Sequence, residues 1–389
     1  MSYLVPMSSP DLSEAERQAV LEVLNTPILS MGREIEQFEA VFRQYTGASQ
    51  ALAVNSGTAG LHLCIRAVDV GPGDRVLTTP FSFVASTNVV LFEQAVPIFV
   101  DVDARTGNIS PELAGMAALD LVMGGSAARQ WLPRRGVVEG GHLKALLAVD
   151  VFGQPADYDQ LSEITRRHDL ALIEDSCEAL GAQYKGRKAG MLGDMGVFAF
   201  YPNKQITTGE GGLVVTNDET AAKMMRALRN QGRAPGDTWL SHTHLGYNYR
   251  MDELSAALGR VQMMRLEELL QKREQVANWY MERLPEIPWL EPPQLDASTS
   301  RVSWFVFVIR VERGMDRDEV ARKLEARGIP VRPYFQPIHL QPYMVERFGY
   351  QPGDFPVTED LGARGLALPF SGQMTEAQVE LVCRVLQEI

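Results

Sequence analysis

Apolar residues in the first half of the chain follow two alternating rhythms. Residues 11–24 place Leu12, Val20, Leu21 and Leu24 on one side and Glu14, Glu16 and Arg17 on the other, the spacing of a half-buried helix. Ser8, Ser9 and Pro10 precede it as start signals. A loop at 28–32 leads to a second helix, 33–45, with Ile35, Phe38, Val41 and Phe42 as its stripe and Gly47 to end it. Short, nearly all-apolar runs then alternate with helical ones. The spacing predicts strands at 51–54, 75–78, 96–100, 144–149 and 170–173, and helices at 58–68, 84–94 and 158–168. Strands that are apolar on both faces imply a mostly parallel sheet covered by helices on both sides. Ligands of such sheets collect beyond the carboxyl ends of the strands. That edge carries Asn55-Ser56-Gly57-Thr58, Pro80-Phe81-Ser82-Phe83 and Asp175.

The second half reads differently. A strand, a turn and a second strand starting at Leu213 enclose Lys204, followed by a helix at 218–230 and a polar loop at 231–243. A long helical stretch from 252 to about 284 connects to a second lobe. The lobe has a strand at 303–309, a helix at 317–326, a loop at 328–342 and a closing helix at 376–388. The expected organisation is a large α/β domain over 1–250 and a smaller α+β domain over 251–389 that includes the connecting helix. Residues 111–141 are less regular and read as a surface insertion with some helix near its start.

Composition narrows the function classes. A formal charge of −12 over 389 residues argues against a nucleic-acid or anionic-membrane surface. No apolar run approaches a membrane span, and the N-terminus lacks the basic and apolar regions of a signal peptide, so a cytoplasmic protein is expected. Cys64, Cys177 and Cys383 lie far apart and read as reduced structural thiols. Six histidines are scattered; His242 and His244 are close, but no matching ligand set accompanies them and no metal is expected.

Chemistry concentrates in a few places. Lys204 stands alone in a Gly/Pro-bounded turn between apolar strands. It is either a surface lysine or an amine held in place for Schiff-base chemistry. Ser56, Gly57 and Thr58 open a helix after a strand, which is either a plain N-cap or a phosphate cradle. Asp175 ends an apolar strand and is either a solvated acid or a partner for a protonated ring nitrogen. Phe83 is a core residue or a ring that stacks on a flat ligand. Asn248 sits in a Gly- and Tyr-bounded loop as a turn residue or an anion contact, and Arg250 is an anion ligand or a surface cation. His339 lies in an aromatic, proline-rich loop, solvated or covering a pocket.

Four stretches in this order resemble the DegT/StrS-type sugar aminotransferases, which depend on pyridoxal 5′-phosphate and share the aspartate-aminotransferase (type I) fold. They are Asn55-Ser-Gly-Thr-Ala, Glu174-Asp-Ser-Cys-Glu-Ala-Leu-Gly181, Phe200-Tyr-Pro-Asn-Lys-Gln-Ile-Thr-Thr-Gly-Glu-Gly-Gly212 and Leu245-Gly-Tyr-Asn-Tyr-Arg-Met251. The resemblance implies that Lys204 carries the cofactor covalently and Asp175 pairs with its ring nitrogen. It also implies that Gly57 and Thr58 bind the phosphate and that Phe83 stacks on the ring. Asn248 would reach the cofactor phosphate of a neighbouring subunit, which makes the active unit a homodimer with shared sites. Glu178 occupies a position close to the ring where the family often has glutamine or histidine. The substrates implied are glutamate and a nucleotide-linked keto-sugar, with Tyr334 and His339 as contacts to the sugar or diphosphate. Two departures stand out. Ala199 replaces a phosphate-binding serine, with Ser56 or Asn248 as candidate substitutes, and the segment around 121–141 is longer than usual. Related dehydratases carry histidine at the lysine position, which Lys204 opposes. A cysteine desulfurase would need a reactive cysteine on a mobile loop, and a non-catalytic sensor would keep the fold without the turnover.

Overall fold

The computed structural model describes residues 3–138, 140–234, 236, 238 and 240–389. The central sheet has seven strands: β1 (Gln50–Val54), β2 (Arg75–Thr78), β3 (Val96–Phe99), β4 (Leu143–Val149), β5 (Ala171–Asp175), β8 (Met195–Ala199) and β9 (Gly212–Thr216). The last two are separated from β5 by a short hairpin, β6 (Gln183–Tyr184) and β7 (Arg187–Lys188). Their spatial order is β1-β9-β8-β5-β4-β2-β3, and β9 alone runs against its neighbours. The expected α/β architecture with a mostly parallel sheet is what forms.

Helices cover both faces. One face takes α3 (Gly57–Ala67), α4 (Ala85–Phe92) and α8 (Glu219–Arg229), packed on Val76, Leu147, Val197 and Val214. The other takes α5 (Pro111–Met123) and α7 (Tyr158–His168), and beside them α2 (Arg33–Thr46), whose Phe38 and Phe42 pack on Phe198 and Phe200. The residues expected to be a surface insertion therefore begin as a structural layer. Ala114, Ala117, Ala118 and Leu121 of α5 are buried, and only the part after α6 (Gly125–Arg129) runs over the surface, pinned by an Arg134–Asp354 ion pair.

The expected long connector is two helices, α9 (Glu253–Met264) and α10 (Leu266–Arg283). They part at Arg265, whose guanidinium is held by Asp11, Glu16 and Glu268. The helix α9 packs on α2 and on α1 (Glu14–Leu24). Gly259 allows this approach, because a Cβ there would stand 2.9 Å from the Phe38 ring. Beyond this junction α10 packs mainly on the closing helix, α14 (Glu376–Gln387).

The second unit is a four-stranded antiparallel sheet, β10-β12-β14-β13, made of β10 (Leu290–Glu291), β12 (Phe307–Val311), β13 (Arg332–Pro333) and β14 (Gly365–Leu368). Against it pack α10, α11 (Arg317–Ala326) and α14 (Glu376–Gln387) around Tyr280, Phe307, Leu324 and Leu386. The strand β11 (Thr299–Arg301) leaves this unit to pair with β6. The segment holding α12 (Pro342–Phe348) also returns to the first unit, burying Met344, Phe348 and Tyr350 beside Phe99, and Asp101 caps the start of α13 (Pro356–Arg364). The apolar run 303–309 reads as one strand, yet only Phe307 onward joins the ladder. Ser303, Trp304 and Phe305 spend their backbone groups on Gly153, Gln205 and Arg273 instead. No helix among the described residues is long and apolar enough to cross a membrane.

Candidate active site

The site grows from the carboxyl ends of β1, β4, β5 and β8. At the end of β1 the chain turns into α3, and extended Ser56 caps the helix by accepting from the N–H of Ala59 at 3.1 Å. The next N–H groups, on Gly57 and Thr58, belong to the helix's unpaired first turn, where anions are favoured. Gly57 is required by contact: a Cβ there would lie 2.7 Å from Ala199 Cβ and 2.9 Å from Cys177 Sγ. This places the helix end directly against β8 and against the residues that follow β5. Ala199 thus presents a methyl group to the helix end.

Asp175 is the last residue of β5, in register with Val149 and Val197, and 4% exposed. Its carboxylate accepts from Ser86 Oγ at 2.6 Å and from the Cys177 N–H at 3.2 Å. The Ser86 N–H donates to the Phe83 carbonyl at 3.3 Å, so the entry to α4 is tied to the acid. The Phe83 ring itself is 61% exposed, which removes the reading of Phe83 as a core residue.

Lys204 lies in the loop between β8 and β9. That loop is closed by Thr208 N–H to Phe200 O and by Lys204 N–H to Tyr201 O. The ammonium is 3.7 Å from Glu178 Oε1 and 3.7 Å from the centre of the Phe305 ring, and the side chain is 13% exposed. A desolvated cation held against an aromatic face and a carboxylate is no solvated surface lysine. The other Glu178 oxygen accepts from the Phe152 N–H at 2.9 Å. Phe152 points that N–H with a left-handed backbone, φ 57°, a conformation uncommon for a bulky residue. Burial drives the Glu178 carboxyl above its ordinary range, opposed first by Lys204. Glu178 and Cys177 both feel the charges of Lys204 and Asp175, so all four groups belong to one site. Burial and then Asp175 push the Cys177 thiol well up, which disfavours a thiolate nucleophile there.

Beneath Asp175 lies a second acidic layer. Asp150 and Glu174 are fully buried and share Ser176, whose hydroxyl is 2.7 Å from Asp150 and 2.9 Å from Glu174. Glu174 also accepts from the N–H groups of Gly190, Leu192 and Gly193, whereas Asp150 is raised well above its usual range by burial and by Glu174. Burial raises the Glu174 carboxyl as well, against the pull of those N–H groups.

A cleft of about 430 Å³ opens beside the lysine, lined by Asn203, Phe305, Arg332, Tyr334 and Phe370. Tyr334 faces it; burial, and next the charge of Glu178, push its hydroxyl up to about 12. His339 does not face it. It is fully buried, its Nε2 is 2.9 Å from Glu359, and its ring packs edge-on against Tyr350 and Phe355. Burial lowers its affinity for a proton. The residue expected as a substrate contact thus has a buried partner in Glu359 and no face on this cleft, whereas Tyr334 of the same loop lines it. Asn248 is exposed, and its carbonyl accepts from Asn55 Nδ2 at 3.2 Å beside the α3 cap. Arg250 bonds the side-chain oxygens of Asn230 and Gln231.

The sequence pattern did not single out Ser86, Phe152, Phe305 or Arg273. Ser86 had a signal, three residues after Phe83 at a helix start. Arg273 had another, a charged residue on the apolar stripe shared by Leu266, Leu269, Leu270, Val276 and Tyr280.

The model of the DegT/DnrJ/EryC1/StrS aminotransferase family matches residues 10–387. GDP-perosamine synthase of Caulobacter vibrioides is 37% identical over 388 residues, covering 99% of this chain and 98% of that one. The structure of S. venezuelae DesV in complex with a ketimine intermediate superposes with a TM-score of 0.87 at 31% identity, over 100% of this chain and 98% of the other. Helicobacter pylori PseC, an aminotransferase involved in the biosynthesis of pseudoaminic acid, gives 0.86 at 27% identity over 99% and 98%. The chain is a member of the DegT/DnrJ/EryC1/StrS aminotransferase family.

Proposed function

We propose that this chain moves an amino group from glutamate to a ketone on a nucleotide-linked sugar, with a 4-keto-6-deoxyhexose as the first candidate, in amino-sugar or polysaccharide biosynthesis in the cytoplasm. The observation that carries this reading is the enclosed Lys204 ammonium, 3.7 Å from Glu178, in one site with Asp175 and the open first turn of α3. That donor set fits pyridoxal 5′-phosphate. Lys204 Nζ would hold its aldehyde carbon, Asp175 its ring nitrogen, and the Gly57 and Thr58 N–H groups with the Ser56 and Thr58 hydroxyls its phosphate. The exposed Phe83 ring is free to lie over the pyridine. When bound, the cofactor supplies an electron sink for the pair left by a broken C–H bond.

The chain's own residues do the rest. Asp175, desolvated and fixed by Ser86, keeps a proton on the ring nitrogen. Lys204 Nζ would take the proton from the substrate's α-carbon and return it to the carbon on the far side of the amino nitrogen, two atoms away. Glu178 stands where it can hold the ammonium between these steps. Phe305 and Tyr334 exclude water on the lobe side. Asn248 would reach the phosphate in the site of a second copy, so the active unit is a homodimer with shared sites. The relatives named for a GDP-linked sugar product support a nucleotide sugar as acceptor.

The test is spectroscopic. Glutamate added to the cofactor-loaded protein should bleach its visible absorption band, and an accepted nucleotide keto-sugar should restore it. A panel of such sugars then identifies the acceptor. A band indifferent to glutamate and to every sugar would favour a non-catalytic sensor over a transferase.

A further inference from the structure

Arg273 is a charged residue buried where none is expected. It is 4% exposed, and among the described residues no carboxylate lies within ion-pair distance of it. Its donors go to four backbone carbonyls, two on each side of a junction. One terminal nitrogen, Nη1, donates to Trp304 O and Phe305 O, both at 3.3 Å. The other, Nη2, donates to Asn203 O at 3.2 Å and Lys204 O at 2.5 Å. Behind the guanidinium is the ring of Phe370, 5.8 Å away. Asn203, Phe305 and Phe370 all line the cleft, so the arginine lies immediately behind its wall.

A buried cation without a counter-ion is costly, and burial lowers the hold on its proton to about 10, with only the more distant charge of Asp11 opposing. Core stability alone is better served by an apolar residue at this point of the α10 stripe. What the guanidinium does, and no apolar residue can, is bind two separate main-chain segments with one rigid fork. Those segments are the loop carrying Lys204 and the strand entry carrying Phe305, whose ring faces the Lys204 ammonium. One helix of the second unit thereby sets the distance between the reacting amine and the aromatic wall opposite it.

We propose that Arg273 is a positioning residue for the amine. Through its four carbonyl contacts it fixes the Lys204 loop to the Trp304–Phe305 segment and couples the second unit to the reacting group. The proposal rests on Lys204 being the reactive amine, but its first readout does not. Arg273→Lys keeps the charge and loses the fork. Arg310→Lys is the control: Arg310 is a half-buried arginine of the second unit, bonded to the carbonyls of Ala104 and Arg105, away from the lysine loop.

Hydrogen exchange is measured on the cofactor-free protein at the amides of Lys204, Thr207 and Thr208, with the thermal midpoint in parallel. In Arg273→Lys these amides should exchange at least about tenfold faster than in Arg310→Lys at a comparable midpoint. With cofactor and glutamate, kcat should fall by about 10²-fold with KM little changed, as expected when a reacting group is displaced by about 1 Å. Unchanged exchange at these amides, or an equal change in Arg310→Lys, overturns the proposal. If the wild-type protein ignores glutamate, the function reading fails while the exchange result still decides the role of Arg273.

Discussion

The two walls of the site are built in opposite ways. The wall made by the central sheet takes its groups from strand ends and the turns after them: Ser56 to Thr58 after β1, Asp175 to Glu178 at and after β5, Lys204 in the loop after β8. Each is a compact stretch whose local geometry is dictated by its neighbours in sequence. The wall made by the second unit draws Arg273 from a helix, Phe305 from a strand entry, Tyr334 from a loop and Phe370 from the end of β14. Phe305 and Phe370 carry no local mark; Arg273 stands out only as a charge on an apolar helix stripe, and Tyr334 only through the family resemblance. The first wall supplies charge and the second supplies enclosure. Charge needs residues of particular kinds in particular turns, whereas enclosure needs only bulk brought from a distance.

That contrast can be broken by substitution, with the sheet wall giving the larger effects. Lys204→Ala should lower turnover by about 10⁴-fold or more, because nucleophile and proton carrier are lost together; the glutamate half-reaction followed in a single turnover measures it. Asp175→Asn should cost about 10²–10³-fold in the same assay, the loss of one preorganised electrostatic group. On the enclosing wall, Phe305→Leu removes the ring 3.7 Å from the ammonium and should cost about 0.5–2 kcal/mol of that contact, read as a roughly two- to thirtyfold fall in kcat/KM. His339→Gln should leave kcat within about twofold while costing about 1–3 kcal/mol of stability by denaturant titration, because its place is a buried structural pair. A large fall in kcat for His339→Gln would return it to the site.

The smallest effect is on pH dependence. The Asp150 carboxyl is raised in the folded protein, so its contribution to stability is present below the unfolded pKa and is lost as pH rises through the folded one. Asp150→Asn should therefore flatten the fall in thermal midpoint as pH rises above the unfolded carboxylate range, with little change below it. A steeper fall would contradict a raised Asp150 carboxyl.

The same contrast explains what was legible in the sequence. Strand and helix alternation gave the sheet, and motif order gave Lys204, Asp175 and the α3 cap as candidates. Phe83 was found by its place at a strand end, and its exposure separates the two readings it allowed. The lobe was less legible because its folding is decided by partners remote in sequence. Residues 252–284 have one unbroken helical pattern, and the break at Arg265 is marked only by acids near the N-terminus, Asp11 and Glu16. Residues 303–305 look like the start of a strand because they lead an apolar run, yet their carbonyls are claimed by Gln205 and Arg273. His339 looks available in a loop until Glu359, twenty residues on, is seen to bury it.

The account depends on Lys204 being the residue that holds the cofactor. Borohydride reduction of the cofactor-loaded protein, followed by peptide mass spectrometry, reads this directly. A pyridoxyl phosphate mass on the peptide containing Lys204, and on no other lysine, is the predicted result. The same mass on a different lysine, or none at Lys204 in protein that retains the coloured cofactor, would contradict it.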